Sequence, residues 1–180
     1  MVLDMESEFY KLAKNILRSE RNLYKLLSIE PSSGRLSVMG SRGGLLVGPK
    51  AMDHLMKGPE KAAYRFGRSS GKDLFGGLVK EFDEEVSRLG PRKLMELALS
   101  MSRALGWGDL RMRSLDRKGM SCVIEAERTI EQSSKKAAHM GVTSGYLAGI
   151  SAVCFGADMM CTHTGEKGGV HSFSISKALG

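Results

Sequence analysis

The segment 133–156, SSKKAAHMGVTSGYLAGISAVCFG, carries glycines at 141, 145 and 149 inside a helical pattern. Glycine inside a helix costs about 1 kcal/mol relative to alanine. Three at four-residue spacing therefore need a structural return. That spacing stacks them on one helix face and opens a groove into which another element can press closely. A membrane helix-pairing motif is excluded, because lysines and His139 flank the segment. A second glycine-bearing helical pattern, 48–82, restarts at Pro59, a favoured first-turn residue. Its glycines at 67, 71, 76 and 77 also require another backbone nearby.

The remaining pattern supplies strands and further helices. Residues 5–27 form an amphipathic helix, with Phe9, Leu12, Ile16, Leu23 and Leu26 in an apolar stripe. Lys11, Lys14, Arg18, Arg21 and Lys25 form a basic stripe, which is expected to be a solvated face. No aromatic residue interleaves with those bases as nucleic-acid stacking would require. Short strands are expected at Arg35–Met39 and Gly44–Val47, separated by a glycine-rich turn. Pro91 opens a cleaner helix that stops at Gly106. Residues 109–127 alternate as a hairpin, and a closing hairpin is expected from Ala157–Thr164 and Val170–Ser176 around GEKGG. The order α-β-β-α-α-β-β-α-β-β defines an α+β domain, with two C-terminal hairpins around the glycine-rich helix. A boundary near residue 30 separates the N-terminal amphipathic helix (1–30) from the main domain (31–180).

The chain has 180 residues, a net charge of +7 and 42% apolar residues, enough for a sizeable core. It has three cysteines, too few and too unevenly spaced for a disulfide framework, so free thiols are expected. The N-terminus is acidic where a secretory signal is basic, and no apolar run approaches bilayer length. A soluble, cytoplasmic protein is the expectation. Twelve methionines point to an adaptable interior able to line a pocket. No nucleophile–base pair, phosphate loop or dinucleotide fingerprint is present, so no catalytic residue is assigned.

Three stretches together resemble the four-vinyl-reductase domain family: AAYRFGRSSGKDL, ALGWGDLRMRSLDRKGMSCVIEAERTIEQSS and GVTSGYLAGISAVCFGADMMCTHTGEKGGVHSF. With the strands from Arg35 they follow the family's order through Phe173. That family shares a superfamily with the TRAPP vesicle-tethering subunits and the haem nitric-oxide-binding sensors. The resemblance implies a self-pairing domain enclosing a pocket for a small apolar ligand. Family members serve as sensor modules of aromatic-responsive activators, in bacteriochlorophyll synthesis and as stand-alone archaeal proteins. Tyr64, Phe66, Trp107 and Tyr146 are the candidate pocket residues, with core packing as the competing role.

The resemblance also raises a structural zinc, which sensor members hold through an upstream cysteine, a Glu-x-x-Cys pair and a later cysteine. Here Asp158 stands for the glutamate, Cys161 for its cysteine and His171 for the later cysteine. The upstream position falls near Lys136, and His139 one turn on is the substitute; His163 is a spare. Zinc accepts such a mixture. Against it, a regular strand points Asp158 and Cys161 to opposite faces. A metal-free hairpin is the alternative, and both readings stand open. Three functional classes follow: a small-hydrophobic-molecule sensor or carrier, probed by ligand-induced stabilisation; a structural dimerisation module like the tethering subunits; and an accessory of a tetrapyrrole-type reductase.

Overall fold

The computed structural model describes residues 27–30, 35–38, 41–44, 54–81, 88–104, 106–116, 118–133 and 139–178. The expected helix over 5–27 lies outside these residues, apart from Leu27. The chain divides into two compact units, Met1–Leu46 and Val47–Gly180. In the first, β1 (Leu27–Glu30), β2 (Arg35–Val38) and β3 (Ser41–Gly44) form an antiparallel sheet in that order. β2 matches its expected strand. β3 falls three residues before the expected Gly44–Val47, in the SRGG stretch whose composition suggests a turn, and β1 has no counterpart among the expected strands. The β2–β3 pairing shifts register between Leu36 and Ser37.

The second unit is an α+β assembly on a four-stranded antiparallel sheet. Its helices include α1 (Glu60–Glu81), α2 (Pro91–Ala104), α3 (Ile130–Ser133) and α4 (Gly141–Phe155). Its strands are β4 (Asp109–Asp116), β5 (Ser121–Glu127), β6 (Met159–Lys167) and β7 (Val170–Lys177), in the spatial order β4-β5-β7-β6. Strand alternation sets the inner face: Cys122, Ile124 and Ala126 on β5, Phe173 and Ile175 on β7, and Met159 and Cys161 on β6 are all buried. The last hairpin turns through Gly168 and Gly169 at φ 62° and 82°. Two positive φ values are what a two-residue hairpin turn demands. β6 therefore extends to Lys167, through residues expected in the turn.

α4 occupies the centre, and every residue from Gly141 to Ser151 is buried. The reason is its pairing with α1. Ala63, Gly67, Gly71, Phe75 and Leu78 share one face of α1, and all are buried. A Cβ added at Gly67 would lie 2.0 Å from the Val142 carbonyl oxygen, and one at Gly71 would lie 2.4 Å from that of Tyr146. In return, a Cβ at Gly145 would lie 2.0 Å from the Tyr64 oxygen, and one at Gly149 would lie 2.3 Å from that of Arg68. Each helix thus sets its glycines beneath the other's carbonyls. The resulting dispersion contacts offset the low helix propensity of glycine.

The ends of α4 are finished by polar groups and by glycine. Met140 precedes the helix without a side-chain cap. Instead, the buried Glu131 carboxylate accepts the Thr143 N–H at 2.6 Å and the Thr143 hydroxyl. A carboxylate there also complements the helix dipole. Glu131 is positioned by α3, which opens with a reciprocal cap: Thr129 N–H donates to Gln132 Oε1 at 2.8 Å, and Gln132 N–H donates to Thr129 Oγ1 at 3.3 Å. Gly156, left-handed at φ 62°, ends α4.

The two classes of helical glycine give opposite predictions. Gly145→Ala forces α1 and α4 apart and is expected to cost about 3 kcal/mol, or about 6–12 °C in Tm. At Gly76 the nearest atom to an added Cβ is a Val153 methyl at 3.8 Å, an ordinary contact. Gly76→Ala is therefore expected to stabilise by about 0.5–1 kcal/mol through helix propensity. Thermal unfolding followed by circular dichroism checks both.

Candidate functional site

The aromatic candidates do not behave as one set. Tyr146 leaves α4 beside the glycine stripe and is 1% exposed. Trp107 stands in the turn between α2 and β4, where Gly106 and Gly108 adopt φ 82° and 108°. That turn lays the indole flat on the Tyr146 ring, with centroids 3.7 Å apart and planes 11° from parallel. Phe66 and Trp107 pack, with Leu55 and Ile130, against the buried cluster of Met56, Ala63 and Val142. Phe66, Trp107 and Tyr146 therefore belong to one region. Tyr64 goes elsewhere: its hydroxyl accepts the Cys161 N–H at 3.1 Å, tying α1 to β6.

Ser102, absent from the sequence-derived candidates, completes the aromatic site. It is fully buried on α2 and donates its hydroxyl proton to the Ala98 carbonyl at 2.6 Å. The Tyr146 hydroxyl lies 2.8 Å from Ser102 Oγ. Since the single serine proton is already used, Tyr146 is the donor in that contact. Its phenolic oxygen keeps acceptor capacity for a second group. Burial pushes the Tyr146 phenol well above its ordinary value, with the Ser102 hydrogen bond opposing this. The group is accordingly a neutral donor–acceptor throughout the physiological range. A serine spaced i, i+4 from Ala98 is a common helix back-bonding position, so no sequence signal distinguishes this one.

The expected zinc ligands are dispersed. His139 is used twice: Nε2 donates to the Gly58 carbonyl at 3.1 Å, and Nδ1 accepts the Gly141 N–H at 3.2 Å. A carbonyl on one nitrogen and an N–H on the other assign the neutral tautomer and leave no lone pair for a metal. Asp158 forms an ion pair with Arg68 of α1 and is 66% exposed. Met159 and Cys161 are buried while Met160 is exposed, so the strand alternates regularly and Asp158 falls on the face opposite Cys161. The irregularity of β6 comes later, between His163 and Gly165. That bulge brings the spare candidate close: His163 Nε2 and His171 Nδ1 are 3.1 Å apart. Among the described residues no group of three or more His, Cys, Asp or Glu is placed to hold a metal ion. In this arrangement His139, Asp158, Cys161 and His171 are not gathered into one ligand set.

The thiols reinforce this. Cys122 and Cys161 flank Ile175 on one row of the sheet, and Cys154 lies buried on α4. Burial pushes Cys122 up to about 12. It also raises Cys154 and Cys161, with the Cys122 thiol adding to both shifts. A metal would have to deprotonate Cys161 against that desolvation. Buried thiols of this kind are inert rather than nucleophilic.

The chain is similar in structure to the phenol-responsive sensory domain of the transcription activator PoxR, solved with phenol: TM-score 0.66, 14% identity, covering 98% of this chain and 92% of that one. No family model matches the sequence. No curated protein matches it either. At this identity the likeness establishes a shared fold. No helix among the described residues is long and apolar enough to cross a membrane.

Tag-free protein is expected to carry less than about 0.1 equivalent of zinc by elemental analysis, because no ligand set is assembled among the described residues. The thiols give a pH prediction. Unfolded cysteine ionises above its ordinary 9.0, whereas folded Cys122 holds its proton to about 12. The native state binds more protons in that window, so its stability is complete below pH 9 and falls as pH rises. Tm measured from pH 8 to pH 11 is expected to decline, and less steeply in Cys122→Ala.

Proposed function

We propose that this chain is a non-catalytic sensor or carrier domain for a small aromatic molecule bearing a hydroxyl group. One observation carries the reading: the Tyr146 ring stacks on Trp107 and its hydroxyl bonds Ser102, inside a fold shared with a phenol-responsive sensory domain. The half-buried Phe66 and Trp107 rings offer apolar surface to a planar body, and the Tyr146 oxygen, with its ring stacked on Trp107, has acceptor capacity for the ligand's hydroxyl proton. Such a site is mostly apolar with a single orienting polar group, as small-molecule sites generally are. The resemblance to four-vinyl-reductase domains supports the same class; homodimerisation belongs to this proposal on that resemblance alone, and a cytoplasmic location on the amino-acid sequence alone.

Trp107 is the only tryptophan in the chain, so its fluorescence reports the site directly. Titration with phenol is expected to give a saturable emission change. At about 100 times Kd it is expected to add about 2.7 kcal/mol of stability. Toluene, with the same ring and no donor, should bind more weakly, and Tyr146→Phe should remove most of that difference. If no phenolic compound shifts either Tm or emission, the sensor reading fails.

A further inference from the structure

A separate feature lies between α2 and β4 and shares no lining residue with the aromatic site. β4 is the terminal strand of the four-stranded sheet, and no strand among the described residues pairs with its outer edge. Between that edge and α2 runs a groove of about 190 Å³. Leu99, Leu110 and Met112 supply its apolar lining, with Leu99 and Leu110 buried. Arg92, Arg103 and Arg111 supply its charge, joined by Glu96 and Ser100. On α2 the polar members fall at positions 92, 96, 100 and 103, one helical face.

The pairing of these charges leaves a surplus. Glu96 is held by Arg92 at 3.1 Å. The nearby carboxylates are also engaged: Asp109 pairs with Arg128, and Glu125 pairs with Arg113 at 2.9 Å. Among the described residues Arg103 donates to the Ser100 hydroxyl at 3.2 Å. Among the described residues neither Arg103 nor Arg111 enters an ion pair. Their fields nevertheless converge. Asp109 is held below the usual carboxylate range first by its Arg128 hydrogen bond and further by Arg111 and Arg103.

We propose that the α2–β4 groove binds a small organic anion, with a carboxylate or phosphate group on Arg103 and Arg111 and a short apolar body on Leu99, Leu110 and Met112. Guanidinium groups offer planar, paired donors that match carboxylate and phosphate oxygens. The groove is smaller than the roughly 300 Å³ at which pockets for drug-sized ligands begin, so the body has only a few carbons. This site shares no residue with the aromatic site, and each stands or falls alone.

The test titrates the full chain with hexanoate, inorganic phosphate and hexan-1-ol at low ionic strength, following backbone amide shifts by NMR. Saturable shifts centred on α2 and β4 are expected with hexanoate or phosphate, and none with hexan-1-ol. The tighter of the two anions identifies the source as a carboxylic acid or a phosphorylated compound. Arg103→Gln combined with Arg111→Gln should weaken anion binding about tenfold or more, the effect of losing charge-assisted hydrogen bonds. Both side chains are exposed, and circular dichroism verifies that the variant remains folded. Arg113→Gln, whose guanidinium is engaged by Glu125, should leave affinity unchanged. The proposal is overturned if neither anion saturates, if hexan-1-ol binds equally, or if Arg113→Gln weakens binding as much as the double variant. It is also overturned if only a glutamate-rich peptide occupies the β4 edge, which would make the edge a protein-docking surface.

Discussion

The interlocking of α1 and α4 through paired glycines is the contact on which the rest of the second unit depends. Backbone lies against backbone, with carbonyls of Tyr64, Arg68, Val142 and Tyr146 over the facing glycines. No side chain separates the helices there, so α4 sinks to the centre and its remaining surface is free to cover the sheet. The placement of Tyr146 follows directly. Its backbone meets Gly71, while its ring turns aside toward α2 and the Trp107 turn. Tyr64, whose carbonyl lies over Gly145, turns its hydroxyl to β6 for the same reason.

A helix buried this completely must satisfy its terminal amides inside the protein, and that requirement consumes residues that otherwise look functional. His139 caps the Gly141 amide and bridges to Gly58, while Glu131 takes Thr143. Both are chemistry-bearing side chains assigned to the same structural task. Asp158 likewise joins β6 to α1 through Arg68. A zinc centre needs donors with unused lone pairs on one side of a strand. Here the donors are spent on hydrogen bonds or placed on opposite faces, and the bulge after His163 pairs two imidazoles instead.

Much of the architecture is legible in the order of residues. Pro91, Gly106 and Gly156 punctuate helices, and the alternation at 121–127 and 170–177 marks strands, because these patterns reflect local sterics and one-sided burial. Legibility fails in the glycine-rich stretches. SRGG has the composition of a turn but is β3, and EK of GEKGG belongs to β6. Strand pairing by a neighbour overrides weak local propensity there. Residue type brings Tyr64, Phe66, Trp107 and Tyr146 forward alike as candidates, and only the fold separates Tyr64, whose hydroxyl turns to Cys161, from the other three. Ser102 is invisible because its partner is 44 positions away. The arginine groove is equally hidden, since Arg92, Arg103 and Arg111 gain meaning only when α2 lies beside β4.

The amino-acid sequence alone determined the α+β class, the two hairpins and the existence of two helices built for close approach. Glycine spacing and strand alternation encode those features within a few residues of each position. Tertiary structure decided which helix meets which glycine face, where Tyr146 finds its hydroxyl partner and which carboxylates and imidazoles are left over for a ligand. Those outcomes depend on pairings between distant residues, where one hydrogen bond made is one donor or acceptor withdrawn from any other use.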